Sequence, residues 1–223
     1  MSDGHTHAAT FDGMSDDYKR RLMIVTAVNI AMFVIEMVAG QFAGSQALKA
    51  DALDFCADGL TYALSFWAIG RPVGVRSAAA VVKGVSLVLM GLWVASTTLY
   101  HFFAQGLPAA DTMGAIGVLA LAANGLTVYL LYAYKDGDAN IRSVWLCSRN
   151  DTIGNVAVMV AAVLVFVFGN AVPDLLVAGV MAALFLTSAF QILRQANEEW
   201  VESRANHPRE GHDHAHDAHD HTH

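Results

Sequence analysis

The chain has 223 residues, of which 55% are hydrophobic and 15% charged, and a mean hydropathy of +0.43. This composition is too apolar for a water-soluble domain of that length, so much of the surface must face something other than water. The formal net charge of -7 comes largely from acids in the two tails and in a few apolar segments, which gives nucleic-acid binding no support.

Six apolar runs follow one another along the chain, each of about 18 residues or more. At a rise of about 1.5 Å per residue, each run crosses a hydrocarbon core of about 30 Å as an α-helix. We therefore predict an all-α integral membrane bundle of six transmembrane helices joined by short loops. The runs are 22–42, 46–69, 78–103, 113–134, 141–168 and 172–193.

The lysines and arginines of the loops and tails lie on one side of this bundle. They fall before helix 1, between helices 2 and 3, between helices 4 and 5 and after helix 6, whereas the other loops carry none. Because cytoplasmic loops retain positive charge, both termini are predicted to be cytoplasmic. The basic residues are Lys19, Arg20, Arg21, Arg71, Arg76, Lys135, Arg142, Arg194, Arg204 and Arg209.

The chain divides into a tail over 1–20, one membrane domain over 21–195 and a second tail over 196–223. The first 18 residues lack the apolar core of a cleavable signal peptide, and no transit peptide is readable, which favours a bacterial inner membrane. The last tail alternates imidazole with carboxylate in GHDHAHDAHDHTH, so we expect it to be disordered until it binds something; an engineered tag is the alternative. Its potential metal ligands are His212, His214, His216, His219, His221 and His223.

Helix 2 carries three acids inside its apolar run. Asp51, Asp54 and Asp58 stand at i, i+3 and i+7, and so share one face of the helix. Ionisable side chains at membrane depth are costly and usually face a bundle interior where they carry function. A cation shared by Asp54 and Asp58 would relieve that cost, whereas hydrogen bonding between helices is the purely structural alternative.

Helix 5 carries Cys147 and Asp151, again one turn apart and at a depth that overlaps with the helix 2 acids. Two helices could thus surround one ion with four carboxylate and thiolate ligands, the coordination number that Zn²⁺ prefers. The thiolate also suits softer ions such as Cd²⁺, whereas Mg²⁺ and Ca²⁺ favour six or more oxygens. The predicted metal ligands are Asp54, Asp58, Cys147 and Asp151.

Other polar residues leave alternatives open. The alternative for Cys147 is a packing role. In that case the side-chain carbonyl oxygen of Asn150 or Asn155 could replace it as a metal ligand. Asn29 and Glu36 share a face of helix 1, where they could support the ligands, carry protons or form interhelical hydrogen bonds.

The remaining membrane charges are basic. Lys49 and Lys83 sit near helix ends and can extend to the interface. Arg149 should point away from Cys147 and Asp151, and Glu36 is a candidate partner for it. Cys56 is expected to pack, and a disulfide between the two cysteines inside helices is improbable.

Two stretches resemble a known family. The segment from Asn29 through Glu36 and Gly40 into GSQALKADALDFCAD resembles the helix 1 to helix 2 region of the cation diffusion facilitators, where an Asn, a Glu and a Gly-Ser turn precede a LADALHMLSD-like motif. In helix 5, SVWLCSRNDTIGNVAVM resembles the family's HxxxD…GSVAV segment. With six helices and a His-rich tract, the resemblance covers most of the chain.

In that family helix 2 supplies His or Asp and then Asp, which fall here on Asp54 and Asp58. Helix 5 usually supplies His and then Asp, which match Cys147 and Asp151. The resemblance implies export of Zn²⁺ or a similar ion from the cytoplasm, commonly in exchange for protons, by alternating access. The helix 5 His is missing, which opens the question of ion preference. The family's cytosolic C-terminal domain is also missing, so we expect a short member whose dimer, if it forms one, is held by its helices.

The predicted function is secondary active export of a divalent transition metal, zinc first and cadmium or others next, by proton antiport. We expect no resident cofactor and no enzymatic activity, because no nucleophile and base stand at a catalytic spacing. The expected partners are the metal ion, protons, the lipid bilayer and a second copy of the chain. The alternative is a non-transporting metal-binding or regulatory membrane protein, whose metal would bind mainly to the His-rich tail.

Overall fold

The computed structural model describes residues 15–68, 73–104, 106–134 and 139–205, the side chains of 65, 68, 73–77, 139–150 and 199–205 excepted. Within these residues the chain forms six long α-helices and a short 3-10 turn at Tyr132–Tyr134, with no strand, which confirms the predicted all-α fold. The helices are α1 (Asp16–Ala43), α2 (Gln46–Ala68), α3 (Val73–Phe103), α4 (Ala110–Leu131), α5 (Ala139–Phe168) and α6 (Val172–Ala205).

The helices extend beyond the apolar runs at their polar ends. Ser15 caps α1, its Oγ accepting a hydrogen bond of 3.2 Å from the Tyr18 amide, and Asp16 and Asp17 occupy the first turn, where carboxylates are favourable. At the other end of the chain α6 continues to Ala205, into the segment predicted to be a tail. The division of the chain into two tails and a membrane domain stays a prediction.

Five of the described helices are long and apolar enough to cross a membrane, by length and composition. They are α1, α3, α4, α5 and α6, and the matched segments are Asp16–Ala43, Ala78–Phe103, Ala110–Tyr134, Asp151–Phe168 and Val172–Glu198. The sequence of α2 is equally long but holds four charged residues, Lys49, Asp51, Asp54 and Asp58.

The distribution of side chains is the reverse of that in a soluble protein. Large apolar side chains cover the outside; Phe42 is 87% exposed and Phe166 is 75% exposed. Glu36, Asp51 and Asn155 are buried inside the bundle. Since apolar surface of this extent is unfavourable in water, the exposed faces of the helices belong in lipid, and the protein is a multi-pass membrane protein.

Helix α2 occupies the centre of the packing and contacts α1, α3, α5 and α6. Two further pairs pack along their lengths, α4 against α5 and α3 against α6. Gly84 and Gly91 permit the close approach of α3 to α6, because a Cβ at Gly84 would lie 2.7 Å from Leu193 and one at Gly91 would lie 2.9 Å from Leu186. The result is a group of four helices, α1, α2, α4 and α5, with the α3–α6 pair beside α2 and α5.

A tight turn joins α1 to α2, and a residue of α6 holds it in place. Gly44 adopts a left-handed conformation with φ 67°, which ends α1. The Asp174 carboxylate, at the start of α6, accepts hydrogen bonds from the Ser45 hydroxyl at 2.6 Å and from the amides of Gln46 and Ala47 at 2.8 and 3.1 Å. We call this set of contacts the Asp174 clasp, the end of the bundle that contains it the turn end, and the opposite end, where α1 begins, the terminal end.

Candidate metal centre

Three acids from two helices line one cavity in the middle of the bundle. Asp54 and Asp58 on α2 and Asp151 on α5 border a cavity of ≈ 680 Å³ that lies between α2, α3, α5 and α6. The Asp151 carboxyl lies within hydrogen-bonding reach of both Asp54 and Asp58. The structure thus brings together three of the four predicted ligands, from the two helices that the sequence indicated.

The fourth predicted ligand, Cys147, belongs to α5, but its side chain lies outside the described residues, as do those of Arg149 and Asn150. Among the side chains that are described, no group of three or more His, Cys, Asp or Glu residues has the geometry of a closed metal site. The three acids therefore share a cavity without forming a complete coordination shell, and the ligand set stays a prediction.

Tyr62 orients one of the acids. Its hydroxyl donates a hydrogen bond of 2.7 Å to Oδ2 of Asp58, one helical turn away on α2. The Tyr62 ring is fully buried in an apolar cluster with Tyr18, Leu22 and Leu131 at the terminal end. A donor held this firmly restricts the orientation of the Asp58 carboxylate, which lines the cavity.

A lysine also faces the acids. Lys83, on α3, lines the same cavity and is close enough for its charge to act on both Asp54 and Asp58. Its extension to the membrane interface stays a prediction. The sequence pattern does not predict the position of Lys83 beside the acids, because that position depends on how α3 is aligned beside α2.

Polar groups continue from the acids towards the terminal end. Thr61 on α2 and Ser188 and Gln191 on α6 line that part of the cavity, whereas Leu87 and Phe185 form apolar walls. Carboxylate oxygens inside apolar walls form a site in which a divalent cation can replace water with protein ligands. The cavity thus presents carboxylates to a cation, and its polar lining continues towards the terminal end.

The sequence profile of the cation efflux transmembrane domain matches residues 22–199, which reach from the first turns of α1 to the polar part of α6. The chain belongs to the cation efflux family. This membership confirms the resemblance seen in helices 2 and 5.

Several bacterial members of the cation efflux family are similar to the chain. Zinc transporter ZitB of Escherichia coli (strain K12) is 26% identical over 212 residues, which are 89% of this chain and 68% of that protein. ZitB of Yersinia pestis is 24% identical over 200 residues, 84% of this chain and 64% of that protein. The cadmium, cobalt and zinc/H(+)-K(+) antiporter of Bacillus subtilis (strain 168) is 23% identical over 208 residues, 86% of this chain and 65% of that protein. The chain spans about two thirds of the length of each of these relatives.

Asp51 shares a helix face with Asp54 and Asp58 in the sequence but has a different environment in the structure. It is not among the residues that line the cavity; its carboxyl instead contacts that of Glu36 on α1. The three acids predicted to share one face of α2 therefore contact two different helices: Asp54 and Asp58 contact α5, and Asp51 contacts α1.

Proposed function

We propose that this cation efflux protein exports a divalent transition metal, zinc first, from the cytoplasm in exchange for protons. The observation that carries the proposal is the convergence of Asp54, Asp58 and Asp151 on one cavity lined by four helices. Cys147 completes the proposed ligand set. In this proposal metal enters from the terminal end, binds at the acids and leaves at the turn end.

Proton exchange follows from the chemistry of the acids. When the metal leaves, neighbouring carboxylates in an apolar surrounding cannot all remain ionised, and protons are the smallest counter-charge that can replace the metal. Metal binding requires deprotonated ligands and therefore releases those protons. The Bacillus subtilis relative is named a cadmium, cobalt and zinc/H(+)-K(+) antiporter, which supports this coupling.

Zinc is favoured over other divalent metals by two lines of support. A set of three carboxylates and one thiolate gives the four-coordinate shell that Zn²⁺ prefers, with Cd²⁺ as the softer competitor. Two of the relatives are named zinc transporters. We place the protein in the bacterial inner membrane, and a dimer, if present, is expected to be held by the helices.

Metal flux in proteoliposomes with a pH gradient tests the function. We expect wild-type protein to take up zinc and the gradient to accelerate the uptake, whereas Asp58→Asn should reduce flux by at least about tenfold, since one ligand is lost. Asp111→Asn is the matched control, because Asp111 is an exposed acid in the first turn of α4. Wild-type flux that is absent, or equal in both variants, would overturn the proposal.

A non-transporting metal binder is the competing function, and the His-rich tail distinguishes the two. Residues 206–223 lie outside the described residues. A chain truncated after Arg204 should retain zinc flux if the cavity is the transport site. If truncation abolishes zinc binding and Asp58→Asn does not alter it, the protein is a metal binder.

A further inference from the structure

Glu36 of α1 and Asp51 of α2 hold two carboxyl groups against each other, away from the cavity. The two side chains are 0% and 1% exposed, and their carboxyls lie within hydrogen-bonding reach of each other. Among the described residues, no donor reaches either oxygen of Glu36 or Oδ2 of Asp51. Two touching carboxylates without donors cannot both be ionised in an apolar interior, so a positively charged species must neutralise at least one of them.

Asn155 of α5 lies at the same level of the bundle. Towards the terminal end Asp151 of α5 contacts the acids of α2, and towards the turn end Val158 packs in one cluster with Leu48 of α2. Asn155 lies between these two levels, at about the depth of Asp51 along α2. It is 0% exposed, and neither its amide nitrogen nor its oxygen has a partner among the described residues. A second unsatisfied polar side chain from a third helix thus reaches the level of the acid pair.

The space around Glu36 and Asp51 determines whether the pair binds a metal ion or a proton. A metal ion needs room and several ligands, but neither Glu36 nor Asp51 lines the ≈ 680 Å³ cavity. A proton needs no room and is shared directly between two carboxyls that touch. A primary amide can donate to the carboxylate that remains ionised.

Among the described residues, the other charged groups near the pair lie on α2. Asp54, one turn along α2, is near enough for its charge to act on Glu36. Lys49 lies next to α1 at Gly40, but its charge acts on Asp174 at the turn end. The part of α4 that packs in one cluster with Met32 of α1 provides the uncharged Ala120 and Ala123.

We propose that Glu36 and Asp51, supported by Asn155, form a proton-binding pair that is separate from the metal-facing acids. The pair holds a proton while the cavity is empty of metal. A dication at Asp54 favours the ionised form, so the carboxyl O–H bond breaks and the proton leaves to solvent. The pair then takes up a proton when the metal departs. This coupling step rests on the proposed function, whereas the proton on the pair does not.

Infrared spectroscopy of the full chain in lipid nanodiscs measures that proton directly. Wild-type protein should show the C=O stretch of a protonated carboxyl at neutral pH, and zinc should decrease it. Glu36→Gln should weaken this band, because one protonated carboxyl is lost while those of the cavity acids remain, and the number of protons released per bound zinc, followed with a pH indicator, should fall by about one. The number of zinc ions bound should be unchanged, and Asp111→Asn should behave as wild type.

Three outcomes would overturn the inference. The first is a band and a proton count that Glu36→Gln leaves unchanged, and the second is the loss of one bound zinc ion, which would make the pair a metal site. If Glu36→Gln does not fold, Asp51→Asn tests the other carboxyl of the pair in the same way. The third outcome is a band and a proton count that Asp51→Asn leaves unchanged. Absence of zinc flux in the wild type would refute the proposed function but leave the band test intact.

Discussion

Lys83 is the residue whose position changes the electrostatic description of the site most. A fixed positive charge beside Asp54 and Asp58 partly neutralises them and repels an incoming metal ion. The carboxylates therefore face the empty cavity with part of their charge compensated. Their affinity for metal is correspondingly lower than the acids alone would give, which suits a carrier because a carrier must also release its cargo.

Removal of that charge should strengthen metal binding. For Lys83→Met we expect zinc affinity to rise by about three- to tenfold, which corresponds to about 1 kcal/mol for a half-exposed charge acting across a polar cavity. Isothermal titration in detergent measures the change. Lys19→Met is the control, since Lys19 lies at the terminal end with a weak 3.9 Å ion pair to Asp16. A decrease in affinity for Lys83→Met would show instead that the lysine organises the acids.

At the scale of elements, the Asp174 clasp joins the beginnings of two helices that are distant in sequence. The first amides of a helix have no partners within it, and those of Gln46 and Ala47 are satisfied by the carboxylate of α6. Ser45, which also accepts a hydrogen bond of 3.0 Å from the Leu48 amide, completes the cap of α2. The Asp174 side chain of α6 therefore stabilises the start of α2.

Loss of the clasp should destabilise the bundle. Asp174→Ala leaves three donors without their acceptor, and we expect a loss of about 2–3 kcal/mol in the free energy of unfolding, since each lost cap or buried hydrogen bond costs about 1 kcal/mol. Thermal unfolding followed by tryptophan fluorescence measures it. Asp111→Ala, at the exposed start of α4, should cost only a few tenths of a kcal/mol. Equal unfolding temperatures for the two variants would contradict the role of the clasp.

At the scale of the whole molecule, the exposed apolar surface changes the effect that substitutions on it should have on stability. Val163, in the middle of the membrane-crossing part of α5, is 60% exposed. In a soluble protein, a lysine at such a position would change stability by no more than about 0.5 kcal/mol. In lipid it places a charge in hydrocarbon.

We therefore expect Val163→Lys to cost about 2–3 kcal/mol of stability in lipid vesicles. Val163→Leu should be neutral and serves as the control. The measurement is the fraction of folded, membrane-integrated protein after a graded denaturant challenge. A lysine variant as stable as the leucine variant would argue that this face of α5 is not in contact with lipid.

The sequence predicted the helices well because each apolar run is long and its interruptions are few. The acids of α2 were recognised for the same reason, since Asp54 and Asp58 stand out in an otherwise apolar run. What could not be predicted are the pairings between helices. Ser45 and Asp174 are separated by 129 residues, and the alignment of α3 beside α2 brings Lys83 to the cavity. Such contacts depend on tertiary packing, which a local pattern does not specify.

The predicted ligand set illustrates the same limit. The i, i+4 spacing identified the helix faces that meet, and the structure places Asp54, Asp58 and Asp151 in one cavity. The spacing did not distinguish Asp51 from Asp54 and Asp58, because one face of α2 contacts two helices, α1 and α5. Cys147 stays a prediction, as do the topology of the termini and the oligomeric state.

The clasp also determines how the cavity can change shape. Helix α2 carries two of the cavity acids and α6 forms much of the opposite wall, and the two helices are pinned together at the turn end by Asp174. Because they are joined there, α2 and α6 can separate little near the Asp174 clasp and more with distance from it. Thr61 and Gln191 lie on the far side of the acids from the clasp, so a given rotation of α6 displaces them most. The Asp174 clasp thus makes the turn end of these two walls a pivot, so we expect movement of α2 relative to α6 to be larger at the terminal end than at the turn end.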